Sequence, residues 1–178
     1  RILSAPGINN LFTGINSGQS NTTGAGNSFF GTFAGQQNAN GVNNSFFGTS
    51  AGRLGTTGSF NVFAGVEAGL NNSASFNSFF GNAAGQQNTT GTNNAFFGAA
   101  AGLLNMTGNN NAFFGNNAGF NTNANANSFF GSSAGRENMA GANNSFFGVN
   151  AGRNGTTASF NAFFGVEAGL NNNGNFNS

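Results

Sequence analysis

Side chains capable of acid–base, nucleophilic or metal chemistry are scarce in this chain of 178 residues. His, Cys, Asp, Lys, Tyr and Trp do not occur, and the ionisable side chains are Arg1, Arg53, Arg136, Arg153, Glu67, Glu137 and Glu167. These residues supply neither a nucleophile with an adjacent base nor a thiolate or imidazole metal ligand. The composition therefore predicts a protein that is not an enzyme, with no cofactor and no metal site.

The charge pattern also restricts the partners. The formal net charge is +1, and the few Arg residues form no basic stripe that could hold phosphates, so we expect no nucleic acid partner. No apolar run approaches the roughly 18 residues of a membrane span. Self-association is the expected partnership, and a host or surface receptor is left open.

A short phrase recurs ten times and dictates the fold. It runs Asn, small residue, Phe, usually Phe again, Gly, two variable residues, Ala, Gly, and its first Gly recurs in steps of 16 or 17 residues, at Gly14, Gly31, Gly48, Gly65, Gly81, Gly98, Gly115, Gly131, Gly148 and Gly165. Such a step fits one coil of a stacked array. We predict an all-β fold, a parallel β-solenoid of about ten 16–17-residue coils, assembled into a fibre or oligomer.

The sequence also repeats over periods longer than one phrase. Residues 145–178 closely repeat residues 45–78, and the short steps recur 50 residues apart, so three phrases could instead make one large triangular turn. One phrase per turn is the preferred interpretation because it keeps every Phe in a narrow core. Arg53 and Glu67 recur as Arg153 and Glu167, and stacking would bring each Arg near the Glu of the next coil as a surface ion pair.

Positions are counted here from the phrase Gly, which is position zero. Adjacent strand residues face opposite sides, so one Phe of each pair should point into the coil and the other outward. The unbroken row at minus two is the predicted core: Phe12, Phe29, Phe46, Phe63, Phe79, Phe96, Phe113, Phe129, Phe146 and Phe163. The row at minus one is the predicted assembly interface, broken by Thr13 and Ala64: Phe30, Phe47, Phe80, Phe97, Phe114, Phe130, Phe147 and Phe164. A wider coil that encloses both rows between two sheets is the alternative.

The remaining residues of the phrase predict bends in the chain. Gly at zero and at plus four can adopt positive φ and predict a tight corner, and Asn-Thr-Thr-Gly, as in Asn21–Gly24, predicts a second, giving two short strands and two bends per coil. Asn at minus four either initiates a turn or forms a ladder that bonds neighbouring coils. The predicted ladder is Asn27, Asn44, Asn61, Asn77, Asn94, Asn111, Asn127, Asn144 and Asn161.

The two ends differ in pattern. Residues 1–9 lack the phrase and are predicted to be an N-terminal cap or assembly segment, whereas residues 10–178 form the solenoid array. The chain stops at Asn177 and Ser178, where the repeat calls for Phe-Phe-Gly, which would leave an open edge able to recruit a strand. Two alternatives are open: either copies of the chain assemble head to tail, or the sequence is an excerpt of a longer array.

The phrase at Asn77–Gly91 resembles the tandem repeats of bacterial and phage tail-fibre-like proteins that carry a C-terminal chaperone domain. It is more distantly similar to the head repeats of trimeric autotransporter adhesins. The resemblance to those heads implies left-handed parallel β-rolls, three chains side by side and an adhesive surface.

Together these patterns predict a non-enzymatic structural protein that forms an extracellular or cell-surface fibre, resembling a functional amyloid, through Phe rows and Asn ladders. A trimeric adhesin or phage tail-fibre shaft is the second expectation. An ice-binding solenoid is the third, although its Thr-Thr pairs occur only at Thr22, Thr56, Thr89 and Thr156 and the residue after each.

Overall fold

The computed structural model describes residues 2–3 and 7–178. Over this part of the chain the secondary structure consists of strands and turns, without a helix. The strands are β1 (Ile2–Leu3), β2 (Leu11–Thr13), β3 (Ser28–Phe30), β4 (Ser45–Phe47), β5 (Val62–Ala64), β6 (Ser78–Phe80), β7 (Ala95–Phe97), β8 (Ala112–Phe114), β9 (Ser128–Phe130), β10 (Ser145–Phe147) and β11 (Ala162–Phe164).

Strands β2 to β11 form one parallel sheet in sequence order, each paired with the strand of the next phrase. The register holds across long and short steps alike, since Phe46 pairs with Phe63 and Phe63 pairs with Phe79. The predicted all-β parallel solenoid is thus confirmed, with about nine turns among the described residues. Because one phrase makes one turn, the alternative of a 50-residue triangular turn is wrong.

The first strand behaves differently from the rest. β1 pairs with β2 in the antiparallel direction, with Ile2 opposite Thr13 and Leu3 opposite Phe12. This segment therefore covers the amino-terminal edge of the parallel sheet. Arg1 and residues 4–6, which belong to the predicted cap segment, lie outside the described residues.

Each coil contains one strand of three residues, not the two expected, and the Thr-containing corner forms a bend after a run of turns. Both the turns and the bend are nevertheless bonded between coils: Gly85 N–H donates to Ala101 C=O at 2.9 Å, and Thr89 N–H donates to Met106 C=O at 2.9 Å. Backbone donors outside the strand thus find partners in the next coil without strand geometry. This pairing makes a second strand unnecessary.

Positive φ angles recur at four positions of each coil. The corner Gly residues at zero and plus four have them as predicted, with φ of +143° at Gly98 and +58° at Gly102. Positions minus five and plus two have them too, where the sequence places Asn but also residues such as Phe33, Glu67 and Phe76. Such residues rarely adopt this conformation, so the stacking of coils imposes it against local preference.

The core is one Phe wide. The ring at minus two lies against Ala at plus three and the backbone of Gly at plus four, as for Phe96, Ala101 and Gly102. A methyl group on Gly102 would overlap the Phe96 ring. The Gly is required because its bare backbone closes the coil over the ring.

Candidate assembly surface

All ten inward rings lie in the solenoid core. Nine of them are at most 3% exposed, and Phe163 is 8% exposed. Neighbouring rings stack nearly parallel, with centroids 4.7 Å apart between Phe96 and Phe113 and 4.8 Å apart between Phe79 and Phe96. The structure places every residue of the predicted core row in one continuous stack that runs the length of the sheet.

The outward rings also stack, on the opposite side of the same strands, in two runs that are separated at Ala64. Phe97 and Phe114, and likewise Phe130 and Phe147, have centroids 4.7 Å apart. Their outer edges reach solvent: Phe47 is 44% exposed and Phe147 is 36% exposed. The alternative in which two sheets enclose both rows is therefore wrong, since only one sheet exists in the described residues and this row lies on its outer face.

This outer face is free of charge. Positions minus five to plus one carry no charged side chain in any described coil, because the Arg residues sit at plus five and the Glu residues at plus two or plus six. Beside the Phe row, position minus three holds small residues such as Ser78 and Ala95, with Leu11 and Val62 as larger exceptions. The result is an aromatic ridge beside a shallow row of small side chains.

The ridge has a size that can be compared with known surfaces. If roughly a third of each ~200 Å² side chain is exposed, the eight outward rings present about 500 Å². That value lies within the range of the largest apolar patch on a typical monomer. The stacked rings shield one another, which is why the strip is smaller than eight separate Phe side chains would suggest.

The Asn residues at minus four form a ladder that bonds coil to coil. The side-chain Oδ1 of Asn94 accepts from the backbone N–H of Asn111 at 2.9 Å, and its Nδ2 donates to the Gly108 carbonyl at 2.8 Å. The same Oδ1 contact repeats from Asn10 to Asn177 without a break. The ladder interpretation therefore holds, and its bonds run from side chain to backbone.

A second buried Asn row, at plus seven, was not predicted. Asn88 is fully buried, and its side-chain amide pairs with both the N–H and the C=O of Gly91. Gly55, Thr122 and Gly155 interrupt this row, so the Oδ1 atoms of Asn38 and Asn138, each one coil before a Gly, have no hydrogen-bond partner among the described residues. The interruptions hid the row from the sequence pattern.

The expected Arg–Glu pairing between coils is wrong. Arg53 Nε donates to Gln36 Oε1 at 2.9 Å and its guanidinium lies 4.6 Å from the Phe33 ring centroid, while Glu67 accepts from Gln86 at 2.5 Å. Arg sits at plus five and Glu at plus two, so the two belong to different rows. Among the described residues the ion pair is Arg136 with Glu137, at 3.5 Å on the surface.

The Thr corners do not form a regular array of free hydroxyls. Thr22 and Thr23 both donate to the side-chain oxygen of Asn40, each at 3.0 Å. Ala39 and Asn40 occupy the corner of the next coil, so the Thr pairs are also interrupted along the axis. These bonds weaken the ice-binding alternative, which needs an unbroken row of available hydroxyls.

Two exposed aromatic pairs lie at minus five, outside the predicted rows. Phe60 and Phe76 stack with centroids 5.2 Å apart, and Phe160 and Phe176 do so at 5.1 Å. Phe60 is 49% exposed and Phe76 is 57% exposed, and both have a φ near +60°. The only sequence signal for them was the presence of Phe where most coils have Asn or Gly.

Comparison of the chain with protein-family models, with curated proteins and with solved structures finds no match. In the described residues, no helix is long and apolar enough to cross a membrane. Those residues also contain no cluster of His, Cys, Asp or Glu able to hold a metal ion.

Proposed function

We propose that this chain is a structural protein whose solenoids associate side by side through the outward Phe row to form an extracellular or cell-surface fibre. The observation that supports this most strongly is the partly exposed ridge of Phe rings, which runs along a face without charge. Apolar burial favours covering that ridge, and no charged side chain on this face must be desolvated to do so.

A second copy of the chain is the partner that fits best. It presents the same row at the same axial rise of about 4.8 Å, so contacts made at one coil repeat at the next. Two ridges of about 500 Å² each bury about 1000 Å², which is near the lower limit for a specific interface. Contacts repeated along a longer array would add to this value.

Substituting one outward ring with a charge tests the association. Phe97→Glu places a carboxylate at the middle of the ridge and should reduce the particle mass in sedimentation velocity and light scattering. Thr107→Glu is the matched control, since it adds the same charge at an exposed corner away from the ridge. Equal particle mass for wild type and Phe97→Glu would refute lateral association through this row.

A trimeric adhesin or tail-fibre shaft is the second candidate, because three copies could also cover their ridges around a common axis. The mass of the smallest particle distinguishes the two candidates. Discrete trimers would support the shaft, whereas filaments of variable length in electron micrographs would support the fibre. Immunogold labelling of intact producing cells tests the surface location, which interior labelling would contradict.

A further inference from the structure

We infer that the groove beside Phe76 is a binding site for neutral carbohydrate, a function separate from assembly. The groove has a volume of about 590 Å³, and its lining includes Thr57, Ser73, Ser75, Phe76, Thr89 and Thr90. Volumes of about 300–1000 Å³ are common for ligand sites. Unlike the Phe ridge, this surface combines one aromatic ring with many hydroxyl groups.

The groove arises from a missing residue. The coil between Gly65 and Gly81 is one residue shorter than its neighbours, and the loss falls at the corner, where Ser73-Ala74 replaces the three-residue corners Thr56–Gly58 and Thr89–Gly91. Strand register is unaffected, since Phe63 still pairs with Phe79. The short corner therefore recedes between two full corners and leaves a depression walled by Thr side chains.

Neither backbone preference nor burial explains why Phe occupies position 76. Its φ is +63°, in a row where Asn43, Asn93 and Asn143 show the residue type suited to that conformation. Its side chain is 57% exposed, so the strained backbone is not compensated by a place in the core. The stacking of coils imposes this φ on the whole row, and at this coil it holds an aromatic ring on the surface beside the groove.

One face of the Phe76 ring is covered within the solenoid. Phe60, one coil earlier, stacks on Phe76 with an interplanar angle of 0°, which holds the ring and covers its near face. The next coil carries Asn93 at this position, so no third ring continues the stack, and Asn93 lines the groove. The exposed part of the Phe76 ring therefore borders the groove together with Asn93 and the Ser and Thr side chains.

The lining chemistry selects the class of ligand. No charged side chain lines the groove, which argues against phosphate, sulfate or carboxylate groups. The hydroxyls of Thr89 and Thr57 donate to backbone carbonyls, at 2.9 Å and 3.5 Å, and retain lone pairs that can accept. A sugar supplies both matching surfaces: a C–H face that packs on an aromatic ring and hydroxyl groups that exchange hydrogen bonds with Ser, Thr and Asn.

Binding can be measured with the full chain immobilised for surface plasmon resonance. The probes are maltohexaose, cellohexaose and the N-acetylglucosamine hexamer, with a heparin hexasaccharide as the charged comparison. We expect at least one neutral probe to bind and the heparin probe not to bind. Absence of binding by all three neutral probes would overturn the assignment, and so would binding of the heparin probe alone.

Two substitutions assign any binding to the groove. Phe76→Asn restores the residue found at this position in coils such as Asn93, so folding should be retained, and the Kd should rise at least about tenfold. Phe160→Asn is the matched control: it removes an equally exposed, equally stacked ring at a φ of +60°, and should leave the Kd within about twofold. Equal losses in both variants, or a changed particle mass for unliganded Phe76→Asn, would place the ring in assembly instead and refute the proposal.

Discussion

Phe96 and Phe97 are adjacent, identical in type and stacked at nearly the same spacing, yet they face opposite environments. Phe96 is fully buried, with ring centroids 4.7 Å from Phe113, and Phe97 is partly exposed, with centroids 4.7 Å from Phe114. Stacking is therefore common to both rows and contributes about 0.5–1.5 kcal/mol per pair in each. What separates them is the cover that Ala101 and Gly102 give to the inward ring alone.

This difference implies a division of roles between the rows. Burial of a whole Phe side chain of roughly 200 Å² contributes about 5 kcal/mol at ~25 cal/mol per Å². The inward row gains this free energy of burial within the single chain, so it stabilises the solenoid. The outward row gains only part of this free energy within the chain, and under the proposed function the remainder would come from the neighbouring copy that covers its exposed edge.

Truncating each ring in turn gives the largest contrast. Phe96→Ala should lower the free energy of unfolding by about 3–5 kcal/mol, because it empties a core one ring wide. Phe97→Ala should lower it by only about 2–3 kcal/mol, in proportion to the part of the ring that is buried within the chain. Denaturant titration of both variants, under conditions where the chain is dispersed, measures the two values. Equal losses would show that the rows do not differ as described.

The Gly that covers the inward ring offers a test of how closely that ring is packed. Gly102→Ala should cost about 2–4 kcal/mol, because it adds left-handed strain to an overlap with Phe96. In a Phe96→Ala background the overlap is gone, and the cost should fall to the strain alone, about 1–2 kcal/mol. A double-mutant cycle measures this coupling. Additive losses would mean that the Gly is needed for its φ and not for the ring.

Substitution within the Asn ladder tests whether buried polar groups stabilise the solenoid as the inward Phe rings do. Asn94→Ala should cost about 2–3 kcal/mol, since the N–H of Asn111 and the C=O of Gly108 would be buried without partners. Thr107→Ala, at an exposed corner, should stay within about 0.5 kcal/mol. Thermal or denaturant unfolding of both variants checks the difference. If Asn94→Ala were equally mild, the ladder would be a consequence of the fold and not a cause.

The smallest expected effect comes from completing the outward row. Ala64→Phe fills its gap between Phe47 and Phe80, and should change the unfolding free energy of a dispersed chain by about 1 kcal/mol or less. It should strengthen self-association by roughly tenfold, the equivalent of about 1.4 kcal/mol. Sedimentation equilibrium measures this, with Thr107→Phe as the control for an added ring elsewhere. Equal strengthening by both would argue for unspecific association.

The coil length, the position of the strand and the opposite orientations of the two adjacent Phe residues could be predicted from the sequence, because residues such as Phe96 and Gly98 recur at a fixed position in every repeat. The second strand was predicted wrongly because the β-branched Thr89 and Thr90 favour strand locally, whereas hydrogen bonds to the next coil satisfy their backbone in a bend. Periodicity therefore located the contacts between coils but not the conformation of each bend.

The candidate sites were only partly accessible to sequence reasoning. The outward row followed from alternation along the strand, but its exposed area depended on ring-to-ring shielding. The left-handed φ of Phe76 contradicts its own preference and is imposed by the stack, so no local rule indicated it. The groove depends on where a coil loses one residue, and the step length alone does not say which corner is shortened.

The spacing of the stacked rings also affects how fibres of this protein would be recognised. Inward centroids lie 4.7–5.0 Å apart along a single chain, so one folded molecule already contains the ~4.8 Å repeat by which cross-β material is identified. An aligned preparation of separate, unassociated solenoids should therefore give a meridional X-ray reflection at that spacing. The diagnostic signal of polymerisation would lie on the equator, where the distance between neighbouring solenoids appears only after they pack side by side.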